Sequence, residues 1–334
     1  MQRMNREEEY CSPRTLRTVA NWLEENHDQD QFFLMVDEFD PHEPFDVPEH
    51  FWRRYDQDYE DIPYIWPDYG EWKGTESELK HIQARYAGKI TMIDRYLGRV
   101  FEKLTDFGLW ENTAVIVTTD HGHFLGDHGF IGKPPCPNYN TISKIPLISY
   151  IPEKNGGRVN SLTATVDLYP TILELLEIEP PVKTDGKSLL SLINGDSNGV
   201  RDSTLYGWYG NWINYTDGRY TYFRAPRSDE IPFYVYSDRW NFGIHGDNQG
   251  PLLNGGEINL GEIEGGDFMP HIDMPVYRAP IRGDSPFEKR TFESHDHLYD
   301  LEEDSNQEEN LAGTEIESEM IEGLQEEMMR LKMQ

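Results

Sequence analysis

The chain has 334 residues, 37% hydrophobic and 13% aromatic, enough for one large core or a main domain with a smaller one, and too aromatic for a disordered protein. Its 61 acidic residues against 30 basic ones give a formal net charge of −31, which repels nucleic acid and anionic membranes and argues against a polynucleotide partner. Cys11 and Cys136 are too few for a disulfide framework or a zinc knuckle, and the longest apolar runs, 32–36 and 114–117, fall far short of a transmembrane segment.

In chain order, residues 15–27 carry Leu16, Val19, Ala20 and Leu23 at helical spacing, and a strand-like apolar run follows at 32–36. Residues 41–73 are rich in proline, aromatics and carboxylates, a long irregular excursion of the kind that is more often functional than idle. Thr75 and Glu78 form a capping box for a long helix with Leu79, Ile82, Tyr86, Ile90, Ile93, Leu97, Phe101 and Leu104 on one face, stopped by Gly108. A β-branched strand is expected at 114–119 and a second buried strand at 145–151. Asp167 is placed to cap a helix holding Leu168, Ile172, Leu175 and Leu176, which Pro180 and Pro181 end.

This alternation predicts an α/β domain over residues 1–201. From residue 202 to 334 the texture changes to a second subdomain. A β-hairpin with a type I′ turn at Asp217-Gly218 is expected there, then a small antiparallel sheet with long loops. A closing helix should carry Met320, Ile321, Leu324, Met328 and Leu331. The acidic cluster at 302–309 reads as a solvated loop, and no internal repeat is present.

The chemistry concentrates where the strand at 114–119 ends. Asp120 and His121 emerge there together, as ligand side chains do at the carboxyl edge of an open parallel sheet. An oxygen and an imidazole suit one divalent cation, with hard ligands favouring Ca²⁺, Mg²⁺ or Mn²⁺. The competing reading is an ordinary turn capped by Asp120. Asp127-His128-Gly129 repeats the pattern but fits loop hydrogen bonding better, and His123 is secondary for the same reason. Lys133, in a loop fixed by Pro134, suits an anionic oxygen, although a lysine in such a place is more often a solvated surface group. His42, in Asp-Pro-His-Glu-Pro-Phe, is either a held imidazole for proton transfer or anion contact, or a structural loop histidine.

Taken together, these segments resemble the sulfatase family of the alkaline-phosphatase superfamily. The matching blocks run in family order: Phe-Phe-Leu-Met-Val-Asp-Glu-Phe-Asp-Pro-His-Glu-Pro-Phe (32–45), Tyr-Ala-Gly-Lys-Ile-Thr-Met-Ile-Asp-Arg-Tyr-Leu-Gly-Arg-Val (86–100), and the Asn-Thr-Ala-Val-Ile-Val-Thr-Thr-Asp-His-Gly segment ending at Gly122. Thr-Val-Asp-Leu-Tyr-Pro-Thr-Ile-Leu-Glu-Leu-Leu (165–176), Asp-Gly-Lys-Ser-Leu-Leu (185–190) and His-Leu-Tyr-Asp-Leu-Glu-Glu-Asp (297–304) complete them.

The resemblance implies an α/β/α sandwich with a mixed, mostly parallel sheet whose first strands are missing, plus the small antiparallel C-terminal subdomain. It also implies roles: Asp120 and His121 as metal ligands, on Ca²⁺ first, and Lys133 and His42 around a sulfate, His42 assisting the leaving group. Family members carry two metal-binding aspartates and a Cys/Ser-x-Pro-x-Arg segment, source of a formylglycine nucleophile, well before the His42 block. Cys11-Ser12-Pro13-Arg14 has its arginine one place early and is set aside.

The expectation is therefore the C-terminal portion of a metal-dependent sulfuric ester hydrolase, acting on a sulfated small molecule or saccharide and by itself showing little or no turnover. A phosphonate or phosphate monoester hydrolase of the same superfamily and a non-catalytic fragment are the alternatives. The start of the chain reads as cytoplasmic, or as periplasmic or extracellular if a preceding segment carries a signal peptide. Oligomeric state and the substrate alcohol, which the loops at 41–73 and 225–290 would select, are not encoded in these motifs.

Overall fold

The computed structural model describes residues 6–134, 136–208, 212–225, 234–237, 257–258, 263–266, 268, 275–282 and 295–331. The chain divides into two compact units, Met1–Pro134 with Ile145–Gly157 and Pro135–Lys144 with Arg158–Gln334. Compactness thus groups the residues differently from a boundary at residue 201. Most of the 225–290 loop sequence lies outside the described residues.

The first unit is built on three helices among the described residues. α1 (Cys11–Asn26) buries Leu16, Val19, Ala20 and Leu23, the face its spacing predicts. It starts at Cys11 rather than at 15, because Pro13 falls in the first turn, where its missing N–H costs nothing. α2 (Glu49–Trp52) drops Phe51 and Trp52 into the same core. β1 (Gly70–Glu71) precedes α3 (Glu76–Asp106), which starts at the expected capping box: the Glu78 N–H donates to Thr75 Oγ1 at 3.2 Å and the Thr75 N–H to Glu78 Oε2 at 2.7 Å.

The buried face of α3 is not quite the predicted one. Ile82 and Leu104 are buried, but the stripe runs through His81, Arg85, Lys89, Met92, Tyr96 and Val100, while Ile90 is 43% exposed. β2 (Val115–Thr118) is followed by the hairpin of β3 (Phe124–Leu125) and β4 (Phe130–Gly132), which β1 extends to an antiparallel sheet in the order β1-β4-β3. β5 (Leu147–Tyr150) pairs antiparallel with β2, Thr118 facing Leu147.

Three expectations are corrected here. The α/β class holds, but the ladders of the described residues are all antiparallel, not mostly parallel. The chain re-enters the sheet beside the end it left by, with no crossover to turn it parallel. Segment 32–36 is extended but joins no ladder among the described residues; Phe32 and Leu34 face the core while Phe33 and Met35 are 60% and 75% exposed, a period of two kept without a partner strand. Of the strand expected to be buried at 145–151, Leu147–Tyr150 is exposed, Ile148 by 65%, and Ile151 after it is buried.

The second unit has three short helices, α4 (Asn140–Ser143), α5 (Leu168–Leu175) and α6 (Leu190–Ile193). Asp167, expected as the cap of α5, is buried. It instead accepts the N–H groups of Ala164 and Lys187 and pairs with Arg201. β6 (Thr204–Gly207), β7 (Ile213–Thr216) and β8 (Tyr220–Arg224) form the predicted antiparallel sheet, β8 also pairing with a later strand. The β7–β8 turn has positive φ at Gly218 but not at Arg219, as type II′ requires and type I′ does not.

β9 (Tyr234–Ser237), β10 (Glu257–Ile258) and β11 (Glu264–Gly266) surround β12 (Val276–Arg282) in a second antiparallel sheet. β13 (His297–Asp300) pairs with β8, and α7 (Glu315–Arg330), the expected closing helix, lays Met320 and Leu324 on Tyr215, Tyr222 and Leu298. No helix among the described residues is long and apolar enough to cross a membrane.

Candidate active site

His42 and Lys133 meet directly. His42 sits in the loop after segment 32–36 and Lys133 is the first residue past β4. Although 91 positions apart, their Nε2 and Nζ atoms are 2.8 Å from each other. An ammonium has only protons to give, so Nε2 accepts and the imidazole proton resides on Nδ1. There it is received by the main-chain carbonyl of Glu43 at 2.8 Å. Phe39 lies tilted over the ring at 4.6 Å, and the imidazole remains partly open, 36% exposed. Lys133 also stands 5.6 Å from the ring centre of Tyr69. Gly132 permits this approach: a Cβ there would fall 2.3 Å from the Tyr69 ring.

Beneath this pair lies a buried carboxylate. Glu43 is 3% exposed; one oxygen accepts the Tyr69 hydroxyl. The other makes no hydrogen bond and lies 3.4 Å from His42 Nδ1 and 3.8 Å from His123 Nδ1. His123 is enclosed by Phe45, Tyr69 and Tyr86. Burial pushes its pKa down to about 4 against the pull of Glu43, and the charges of Lys133, His42 and His121 add to the lowering. His123 therefore shares one electrostatic neighbourhood with both halves of the expected site.

Asp120 and His121 form the other half. They follow β2, where Asp120 Oδ1 accepts the His121 N–H at 2.8 Å and Oδ2 lies 3.3 Å from His121 Nε2. Partial burial works to raise the Asp120 pKa, but the hydrogen bond and charge of His121 outweigh it and hold the carboxylate below its usual range. Both side chains are open, at 79% and 40% exposure. The donor set fits a hard divalent cation in kind, one carboxylate and one imidazole, and supplies only part of a coordination sphere. Among the described residues no group of three or more His, Cys, Asp or Glu donors includes this pair.

The one such group found among the described residues is Cys11, Glu38 and Asp40. Burial, then Glu38 and Asp40, raise the Cys11 thiol pKa, so it is a poor nucleophile. Asp40 is already paired with Lys89 and Ser12. Asp127 accepts the Leu125 N–H at 3.2 Å, the loop role expected of it.

Sequence reasoning missed Glu43, Tyr69 and Lys89. Glu43 adjoins the histidine motif, but nothing local shows that it is buried; Lys89 is hidden inside an apolar helical stripe.

Comparisons with known proteins place the chain as a whole. The family signature described as "Sulfatase" covers residues 1–178, and that of "N-sulphoglucosamine sulphohydrolase, C-terminal" covers residues 126–249. A multifunctional alkaline phosphatase superfamily protein of Trinickia caryophylli is 42% identical over 122 residues, 35% of this chain and 23% of that protein. An arylsulfatase of Clostridium perfringens is 30% identical over 194 residues, 51% of this chain and 39% of that protein.

The fold matches a phosphonate monoester hydrolase of Agrobacterium radiobacter with a TM-score of 0.62 at 20% identity, over 98% of this chain and 61% of that one. A putative sulfatase of Bacteroides fragilis gives 0.62 at 19% identity, over 97% and 59%. The chain thus spans only 23% and 39% of the length of these two curated relatives. Members of the matching family generally use a divalent metal. With more than half of its length under the family signature, the chain belongs to the sulfatase family of the alkaline phosphatase superfamily.

Proposed function

We propose that the protein hydrolyses sulfate esters, with His42 and Lys133 holding the sulfate group and Asp120 and His121 contributing ligands to a Ca²⁺ ion. The observation that carries this reading is the 2.8 Å contact between Lys133 Nζ and His42 Nε2. It gathers a cation and a proton carrier at one partly open point, as cleavage of an anionic ester requires. Lys133 turns its ammonium from the imidazole to a non-bridging sulfate oxygen. His42 keeps its Nδ1 proton on the Glu43 carbonyl and presents Nε2 to the ester oxygen; as the nucleophile oxygen, a formylglycine hydrate by family resemblance, bonds to the sulfur and the ester S–O bond breaks, a proton on Nε2 passes to the departing alkoxide. Asp120 and His121 would hold part of the coordination sphere of a divalent cation, which when bound would supply Lewis-acid stabilisation of developing negative charge. Glu43 lies buried behind the ring, one carboxylate oxygen 3.4 Å from His42 Nδ1.

Sulfated saccharides are the favoured substrates. An N-acetylglucosamine-6-O-sulfatase of Bacteroides thetaiotaomicron, 28% identical over 160 residues, is among the relatives. The test is titration of the 334-residue chain with inorganic sulfate, followed by His42 ring resonances. Saturable binding that Lys133→Ala weakens at least tenfold, about 1.4 kcal/mol, supports the reading. Sulfate affinity unchanged by that substitution removes it.

A further inference from the structure

We infer that Lys89 is a positioning residue for His42, fixing the imidazole through the main chain on which it stands. The inference rests on reading His42 and Lys133 as the sulfate-binding pair. Lys89 is 2% exposed, on the inward face of α3. Its Nζ lies 2.9 Å from the His42 carbonyl oxygen, 2.9 Å from that of Pro44 and 2.5 Å from Asp40 Oδ1. Three protons meet these three near acceptors, with Asp46 Oδ1 farther off at 3.6 Å, so the ammonium is fully used. One helical turn earlier on the same face, Arg85 Nε donates to the Phe45 carbonyl at 2.7 Å. Asp40 in turn accepts the Ser12 N–H at 3.2 Å, which ties the loop to the first turn of α1.

The pattern of carbonyls gives this cluster a role beyond burial. Lys89 takes the carbonyls of residues 42 and 44, and the carbonyl between them, that of Glu43, points to His42 Nδ1. Holding the two outer carbonyls sets the direction of the middle one. That direction places an imidazole proton on Nδ1 and keeps Nε2 on the open side, where it accepts from Lys133 and, once protonated, can donate to the anion. Without the ammonium, two buried carbonyls lose their donor and the peptide planes around Glu43 are free to turn. Tyr69 and His123 hold or face the Glu43 side chain but do not touch these carbonyls, so Lys89 acts on the ring by a separate route.

The test uses the 334-residue chain and its Lys89→Met and Lys89→Arg variants. Met fills the space of the lysine stem; Arg keeps the charge beside Asp40, but its planar fork cannot aim three protons at convergent acceptors. Two readouts are taken on each: the His42 tautomer from ring ¹⁵N shifts, and affinity for inorganic sulfate. The unaltered chain should show a single Nδ1–H tautomer. A folded variant should show a tautomer mixture and at least fivefold weaker sulfate binding.

A folded variant that keeps the tautomer and binds sulfate within twofold of the unaltered chain overturns the assignment. So does failure of both variants to fold, which would make Lys89 a structural group. If the unaltered chain binds no sulfate while the variants still lose the tautomer, the sulfate reading fails and the role of Lys89 stands.

Discussion

Replacing Tyr69 by Phe removes one oxygen and nothing else, and it isolates the buried carboxylate under the site. The Tyr69 hydroxyl is the hydrogen-bond donor to Glu43, whose second oxygen has none, and Glu43 is 3% exposed. Tyr69→Phe therefore leaves a buried carboxylate without a hydrogen bond to either oxygen. An unsatisfied buried acceptor costs about 1–3 kcal/mol, with charged groups toward the upper end. At an m-value of about 3 kcal/mol/M, the urea midpoint should fall by roughly 0.3–1 M. The aromatic ring stays under Lys133, so sulfate affinity should be unchanged.

A double-mutant cycle with Glu43→Gln separates this mechanism from loss of generic packing. A neutral amide loses only an ordinary hydrogen bond, about 0.5–1.5 kcal/mol, so Tyr69→Phe should cost about 1 kcal/mol less in the Gln background. The assay is equilibrium urea unfolding of the four proteins at pH 7. Equal costs in both backgrounds, or a Tyr69→Phe cost under about 0.5 kcal/mol, which is the scale of an indifferent surface change, would refute the reasoning.

Three further outcomes follow from other residues. His81 is fully buried, stacked on Tyr59 at 3.7 Å and edge-on to Trp52 at 4.9 Å. Burial first, then the Arg85 charge, pushes its pKa down to about 4. The unfolded chain therefore binds the extra proton between that value and about 6.5. The stability is present in full above pH 6.5 and drains as pH falls toward 4. His81→Phe should reduce the slope of stability against pH near 5 by about one proton, and an unchanged slope speaks against it.

Gly88→Ala should destabilise although alanine is the better helix former by about 1 kcal/mol. Its Cβ would sit 2.9 Å from the Trp52 backbone nitrogen, whereas Gly98 on the same helix has nothing within 4 Å. Thermal melts should place Gly88→Ala below the unaltered chain and Gly98→Ala above it; the same sign for both rejects the contact. Millimolar Ca²⁺ should raise the melting temperature of the chain, and Asp120→Asn should abolish the rise. A rise that survives in that variant places the ion elsewhere.

The long helix shows how far hydrophobic patterning reaches. Its start was legible because the Thr75–Glu78 capping box is a local arrangement, complete within four residues. Its buried face was not, because periodicity counts apolar side chains and passes over donors. Ile90 belongs to the apolar stripe yet is exposed, and Lys89 beside it is buried. The reason lies across the unit, where the carbonyls of His42, Pro44 and Phe45 need donors inside the core. The extended segments divide the same way. The apolar runs at 32–36 and 145–151 were readable as extended, but which of their side chains are covered depends on what lies against them, which no local pattern records.

The candidate site follows the same rule at closer range. Asp120 and His121 contact each other because they are neighbours in sequence, so their pairing needed no fold to be seen. His42 alone had an equally good plain reading and Lys133 alone a better one, and their contact exists because the β3–β4 hairpin returns the chain to the loop held by Lys89 and Arg85. In a chain of net charge −31, the far field opposes any anion. Charges beyond about 8 Å are largely screened at physiological ionic strength, so anion binding is decided by the cations within that distance. The fold meets this by turning a few scarce cations toward one loop, Lys133 on its open side and Lys89 and Arg85 behind it. Of these only Lys133 sat in a recognisable motif position; the other two took their places from the backbone they support.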